Sequence, residues 1–337
     1  MAKQLIVHAG LPKTGTTYLQ QCLAHNARWL RALGVSYPEL GREFLDGHHN
    51  VARALSRAQD SAALIGQLLS ADACERVVIS SEEFSTLNHA QVTALREACG
   101  DVELRWLLYL RRRSQLLVSR WKQDVRTGLT ETLPAFVGAE CVGYGDVLRP
   151  EVPLTVAVES LGCESLRVVV YDQVVATGED LFDHFLRVQL GVTATDGATR
   201  PGQRVNEAIP FAAAEALRML NAAKAPTARF AKSSWAQRAQ AQLLTSARGR
   251  DLVDRVERLL DRYGTPFDVS GVDELWRSRD FEIVSACGDC IEQLQPDGSL
   301  FPVGSPSNVE TLPPGILQEQ LPIGDIHAMV AAIDAAG

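Results

Sequence analysis

The feature that most constrains the fold is a ten-residue stretch, His8-Ala9-Gly10-Leu11-Pro12-Lys13-Thr14-Gly15-Thr16-Thr17, set between an apolar run and a segment of helical spacing. Leu5 to Ala9 reads as a short buried strand. After the stretch, Leu19, Cys22, Leu23, Leu30 and Leu33 keep one apolar face over about four turns until Gly34 stops the helix. Strand, glycine loop and helix in that order commit the chain to an α/β design. Branched apolar runs recur at Val77 to Ser80, Leu104 to Leu110 and Leu166 to Tyr171, with helical segments between them. The expected fold class is therefore α/β, a central parallel sheet flanked by helices, with a C-terminal helical and irregular extension.

A second strand, loop and helix unit runs from the strand ending at Leu110, through Arg111-Arg112-Arg113, into a helix that begins near Ser114 and carries Leu117, Trp121 and Val125. Both loops then sit at carboxyl ends of strands, where open α/β sheets bind ligands. Beyond Val192 the strands are expected to stop. Thr193 to Gly202 reads as a loop, Phe211 to Ala223 as a helix, and Gln237 to Tyr263 as helical with a break at Gly249 and an end at Gly264 and Pro266. Pro296 to Pro322, with six prolines, reads as an irregular segment. These boundaries suggest a main domain over 1–265 and an extension over 266–337 packed on it.

Composition sets the remaining limits. A net charge of −8 argues against general nucleic-acid binding, so an anion site has to be local. The seven cysteines are an odd number scattered over a long chain, unlike a disulfide framework, and point to a reducing cytoplasm. Cys287 and Cys290 form a lone CxxC that reads as structural thiols, since zinc needs two further ligands. The first apolar run is too short for a signal peptide, and no stretch has eighteen uncharged apolar residues, so neither secretion nor a membrane span is expected.

The first loop is built to hold an anion. Gly10 and Gly15 let the backbone bend closely round a ligand, a helix amino terminus offers unpaired N–H groups, Lys13 adds a full charge, and Thr14, Thr16 and Thr17 add hydroxyls. The common NTPase loop places its lysine directly after the second glycine, whereas Lys13 precedes Gly15 and no Gly-Lys-Ser/Thr follows. Gly10-Leu11-Pro12-Lys13-Thr14-Gly15-Thr16-Thr17 instead resembles the 5′-phosphosulfate loop of sulfotransferases that use 3′-phosphoadenosine 5′-phosphosulfate (PAPS). With His8 before it and Leu19-Gln20 after it, the stretch is similar to a bacterial branch of that superfamily.

The resemblance implies a second element for the 3′-phosphate, an arginine ending a strand and a serine eight positions later. Arg111 and Ser119 match that spacing. A guanidinium fork beside a hydroxyl suits a doubly charged phosphomonoester. Taken alone, three arginines would more often make a solvated turn, and the family's frequent Arg-x-Pro is missing, so Arg112 or Arg113 could share the phosphate. The resemblance further implies a late loop over the nucleotide, for which Arg200 to Asn206, with Arg204, is the candidate. It also implies transfer of a sulfuryl group to a hydroxyl or amine acceptor, carbohydrate among the options, release of adenosine 3′,5′-bisphosphate, and no metal.

A hydroxyl acceptor needs a base. Glu82, at the end of the strand Val77 to Ser80 where the superfamily's cytosolic members resemble one another in placing a histidine, is the first choice. His48 and His49 are the second, and Glu39 the third; His8 reads as a hydrogen-bonded orienter. The competing functions are a nucleotide or small-molecule kinase, which needs magnesium, and a noncatalytic binding protein of the same fold.

Overall fold

Sheet and helices arise from two periodicities in the chain, alternation in the strands and 3.6-residue spacing between them. The computed structural model describes residues 3–57, 61–71, 73–143, 149–193, 195–201, 209–292, 294–301, 308–313 and 316–335. Two compact units divide the chain. One comprises Met1–Arg112, Asp146–Asn206 and Trp276–Val303; the other comprises Arg113–Gly145, Glu207–Leu275 and Gly304–Gly337.

The first unit holds a five-stranded parallel sheet built from β1 (Gln4–Ala9), β2 (Val35–Ser36), β3 (Arg76–Ser81), β4 (Glu103–Leu110) and β5 (Leu166–Val170). Their order is β2-β3-β1-β4-β5. The alternation of a strand sends Leu5, Val7 and Ala9 into one core cluster and Ile6 into another, so each face carries its own helices. On the first face lie the helices His49–Ser56, His89–Cys99, Glu151–Leu161 and Arg277–Cys287; on the second lie α1 (Thr16–His25) and the helix Leu181–Leu190. The chain leaves β1 toward β3 and β2, and leaves β4 toward β5. The direction of winding therefore reverses between β1 and β4, the switch point where such sheets bind ligands.

The structure corrects several sequence expectations. The continuous helix up to Gly34 is two helices, α1 and Ala27–Ala32, broken at Asn26. The buried Asn26 amide donates to Cys22 O and Thr199 O, both at 2.8 Å, and its carbonyl oxygen accepts from Thr199 N–H at 2.8 Å. The two-residue β2 was too short to register as a pattern. Tyr171 does not extend β5 but opens a short helix, Tyr171–Ala176.

The second unit is helical around Phe211–Lys224, whose residues from Ala212 to Asn221 are all buried. Trp121, on the helix Arg113–Arg126, stacks on Phe211 with ring centroids 5.3 Å apart. Asn221 Nδ2 donates to Val125 O at 2.8 Å and Leu129 O at 3.1 Å, which satisfies the donor end of a fully buried amide. The break expected at Gly249 lies instead at Ser246, between the helices Ser233–Thr245 and Ala247–Tyr263. Ser246 caps the second helix by accepting from Gly249 N–H at 2.9 Å, and a side chain at 249 would collide with the carbonyls of Gln242 and Leu243. Strands do not stop at Val192: β6 (Thr265–Asp268) and β7 (Asn308–Thr311) pair antiparallel. The stretch from 266 onward contributes to both units.

The CxxC thiols are buried near the end of the helix Arg277–Cys287. Cys290 donates to Cys163 O at 3.2 Å, and burial pushes the thiols of Cys287 and Cys290 up to about 11 and about 12, which makes them inert at neutral pH. Among the described residues no cysteine is in a disulfide, and no helix is long and apolar enough to cross a membrane.

Candidate active site

The loop after β1 is held by its backbone. Gly10 N–H donates to Ser81 O at 3.1 Å, which carries the pairing with β3 one residue past the strand. A methyl group at Gly10 would run into the Thr16 side chain, so only glycine lets the loop fold back on α1. Thr14 is fully buried and its hydroxyl donates to Leu11 O at 2.7 Å, bracing the turn through Pro12. Its role is internal to the loop. Lys13 and Gly15 have φ of 66° and 78°, both left-handed. Glycine adopts that region freely, whereas for a lysine it costs about 1–2 kcal/mol. Strain of this kind concentrates where a ligand is held.

At Gly15 a methyl group would also come within 2.6 Å of Leu181 Cδ2. No side chain caps α1, and Thr16 Oγ1 is buried without a hydrogen-bond partner among the described residues. Thr17 is half-buried in the same first turn. An orphaned buried hydroxyl at an uncapped helix start fits an anion, which would accept from both.

Arg111, one residue past β4, reaches this loop directly. Its Nη1 donates to Lys13 O at 2.7 Å, its guanidinium carbon lies 5.4 Å from the centroid of the Tyr171 ring, and its Nε is 4.0 Å from Asp172 Oδ1. That Nε is buried and makes no hydrogen bond among the described residues. Arg112 N–H donates to Asp172 Oδ2 at 2.6 Å. Burial lifts the Asp172 carboxyl above the usual range, opposed by that N–H and by the charge of Arg111. Arg112 and Arg113 are buried, at 6% and 1% exposure, so the three arginines are not a solvated turn.

Sequence reasoning missed Tyr171 and Asp172 as parts of this cluster. The available signal was their position at the carboxyl end of a strand. Ser119 lies half-buried on the helix Arg113–Arg126, in the second unit, while Arg111 belongs to the first. Arg204 lies outside the described residues. Arg200, which is described, donates to Asp180 Oδ1 at 3.2 Å and pairs with Asp183, tying its segment to the start of the helix Leu181–Leu190.

The candidate bases part company at the end of β3. Glu82 opens the turn Glu82–Thr86 with its side chain exposed; partial burial raises its carboxyl above the ordinary range, and the charge of Lys13 opposes the rise. The charge of Lys13 thus acts on the Glu82 carboxyl. His48 is fully buried: Ser80 N–H donates to its Nδ1 at 3.2 Å, so the proton sits on Nε2 and donates to Pro38 O at 3.0 Å. Burial lowers its pKa to about 3. With both nitrogens engaged, His48 props the segment against β3 and is not placed to take a proton from an acceptor. His49 Nδ1 lies 2.9 Å from Ser81 Oγ and 3.5 Å from Glu83 Oε1, and Glu83 in turn accepts from Arg53 Nη2 at 2.6 Å. Glu39 is exposed, near Arg42.

His8, expected as a hydrogen-bonded orienter, has one ring nitrogen hydrogen-bonded. It is fully buried, its Nδ1 lies 2.8 Å from Ser80 Oγ, and burial lowers its pKa to about 3. Gln20 donates to the same Ser80 oxygen at 3.2 Å. Among the described residues no group of three or more His, Cys, Asp or Glu could hold a metal ion.

Neither the protein-family models nor the curated proteins match this chain. Among solved structures it is similar to a sulfotransferase from Alicyclobacillus acidocaldarius, at 15% identity and a TM-score of 0.38, over 61% of this chain and 87% of that one. A likeness of that degree carries no argument about the site, whose chemistry has to be read from its own residues.

Proposed function

We propose that this protein is a sulfotransferase that moves a sulfuryl group from PAPS to a hydroxyl or amine acceptor. The observation that carries the reading is the 2.7 Å hydrogen bond from Arg111 to Lys13 O, which joins a cation after β4 to the anion loop after β1 at the sheet's switch point. PAPS carries two separate anionic groups, and two adjoining cationic loops answer to both. Gly10 to Thr17 hold the 5′-phosphosulfate through the start of α1 and Thr16 Oγ1. Arg111 holds the 3′-phosphate, the role in which Ser119 and Arg204 are also expected from the sequence.

In the transfer, the acceptor oxygen forms its bond to sulfur as the bond from sulfur to the bridging oxygen breaks. Lys13 balances the charge that grows on that oxygen, a contribution realised most fully in the transition state. Glu82 takes the acceptor's proton, and the Lys13 charge beside it keeps it ionised to lower pH than burial alone would allow. Adenosine 3′,5′-bisphosphate leaves. The acceptor class is a hydroxyl or amine compound, carbohydrate included.

Calorimetry tests the reading. Adenosine 3′,5′-bisphosphate should bind without metal and more tightly than ADP. Tighter binding of ADP that depends on magnesium would overturn the proposal in favour of a kinase. Labelled PAPS offered with a panel of acceptors then identifies the product.

A further inference from the structure

The cluster after β4 and β5 does more than supply a cation. Arg111 spends one guanidinium N–H on the carbonyl of Lys13, the residue whose φ of 66° is held in the left-handed region. It rests against the Tyr171 ring and sits 4.0 Å from Asp172, whose other oxygen is fixed at 2.6 Å by the Arg112 backbone N–H. The carboxylate is thus anchored on the strand-end backbone and steadies the side chain that steadies the loop. Tyr171 also packs on the loop, its Cε2 lying 3.5 Å from where a Gly15 methyl would stand.

We infer that Asp172 is a positioning residue acting through Arg111, and that Arg111 shapes the first loop as well as holding the 3′-phosphate, so the two anion sites form one coupled unit. The inference rests on the sulfotransferase reading and adds to it a residue and a coupling. It has a consequence that simple division of labour lacks. An arginine that only gripped the 3′-phosphate would leave binding of a 5′-monophosphate untouched when removed. An arginine that also holds Lys13 O will weaken both.

The experiment measures affinities of adenosine 3′,5′-bisphosphate and AMP by calorimetry, with the thermal midpoint recorded for each variant. Arg111→Ala should weaken AMP roughly tenfold and the bisphosphate by more, from loss of a charge-assisted hydrogen bond. Asp172→Asn keeps an oxygen for the Arg112 N–H and removes only the charge facing Arg111. It should weaken both nucleotides by a smaller factor with the midpoint unchanged. Because Asp172 acts through Arg111, the double variant should bind no worse than Arg111→Ala alone.

Unchanged AMP affinity in Arg111→Ala overturns the shaping role. Wild-type affinities in Asp172→Asn, or fully additive losses in the double variant, overturn the positioning role. Both outcomes leave the sulfotransferase reading standing. A wild-type protein that binds neither nucleotide, or does not prefer the bisphosphate, overturns that reading and the inference with it.

Discussion

The carboxyl ends of β1 and β3 are neighbours, with Ala9 paired to Ser81, yet they yielded very differently to inspection of the sequence. At the end of β1 the site is made by the backbone. Glycines, a left-handed lysine and an uncapped helix are consequences of local chain geometry, and residue type at fixed spacing spells them out. At the end of β3 the candidates were chosen for their titratable side chains. What such a side chain does depends on burial and on partners brought from elsewhere, as Pro38 and Ser80 are brought to His48. Local backbone chemistry is written in sequence; proton affinity is written in packing.

The largest expected effect falls on the β1 side. Lys13→Ala removes the cation next to the transferred group and should lower kcat by about 10²–10³, with adenosine 3′,5′-bisphosphate still bound, as steady-state kinetics and calorimetry would record. A kcat within a few-fold of wild type would mean that the backbone alone carries the chemistry. The comparison would then fail on its stronger side.

Next comes Glu82→Gln, expected to lower kcat about a hundredfold with nucleotide affinity retained. Burial raises the Glu82 carboxyl and Lys13 opposes the rise. The base must be ionised, so kcat/KM in the wild type should fall as pH drops through a value above the ordinary glutamate range. In Lys13→Ala the opposing charge is gone, and that acid limb should move to higher pH in the residual activity. A limb that stays put would separate the two residues and leave the β3 end without a base.

Legibility followed the same division elsewhere. The four main strands and the helix from Arg113 were plain because apolar periodicity is a local signal. The break at Asn26 was invisible because its cause is Thr199, far along the chain. Asp172 was overlooked for the same reason: its partners, Arg111 and Arg112, lie on another strand's end. The β6 and β7 pair escaped because each is four residues long, carries no sustained alternation, and finds its partner across an intervening helical stretch.

His48 should give a stability effect in place of a catalytic one. Its folded-state pKa is depressed from the ordinary 6.5 to about 3 by burial. The folded form therefore binds fewer protons than the unfolded one, and stability that is complete above about pH 6.5 is lost as pH falls, at up to about 1.4 kcal/mol per pH unit. Urea unfolding of the wild type should show that acid loss, to which the equally buried His8 adds its own share, and His48→Gln should reduce the slope while lowering stability at pH 7. An unchanged acid slope would show that His48 titrates freely, and would restore it as a candidate base.

The smallest expected effect is at Glu39, and it is the sharpest control on the comparison. Its side chain is 94% exposed, 3.5 Å from Arg42 in a surface pair. Pairs of that kind contribute little, so Glu39→Gln should change stability by no more than about 0.5 kcal/mol. Turnover, affinity for the nucleotide and the acid limb of the pH profile should all match the wild type, because the exposed side chain engages only its surface neighbour Arg42. If kcat instead fell tenfold or more with the pH profile shifted, the loop after β2 would carry the acceptor's base. Glu82 would then have no part in proton transfer, and the charge of Lys13 acting on it would have been the wrong guide.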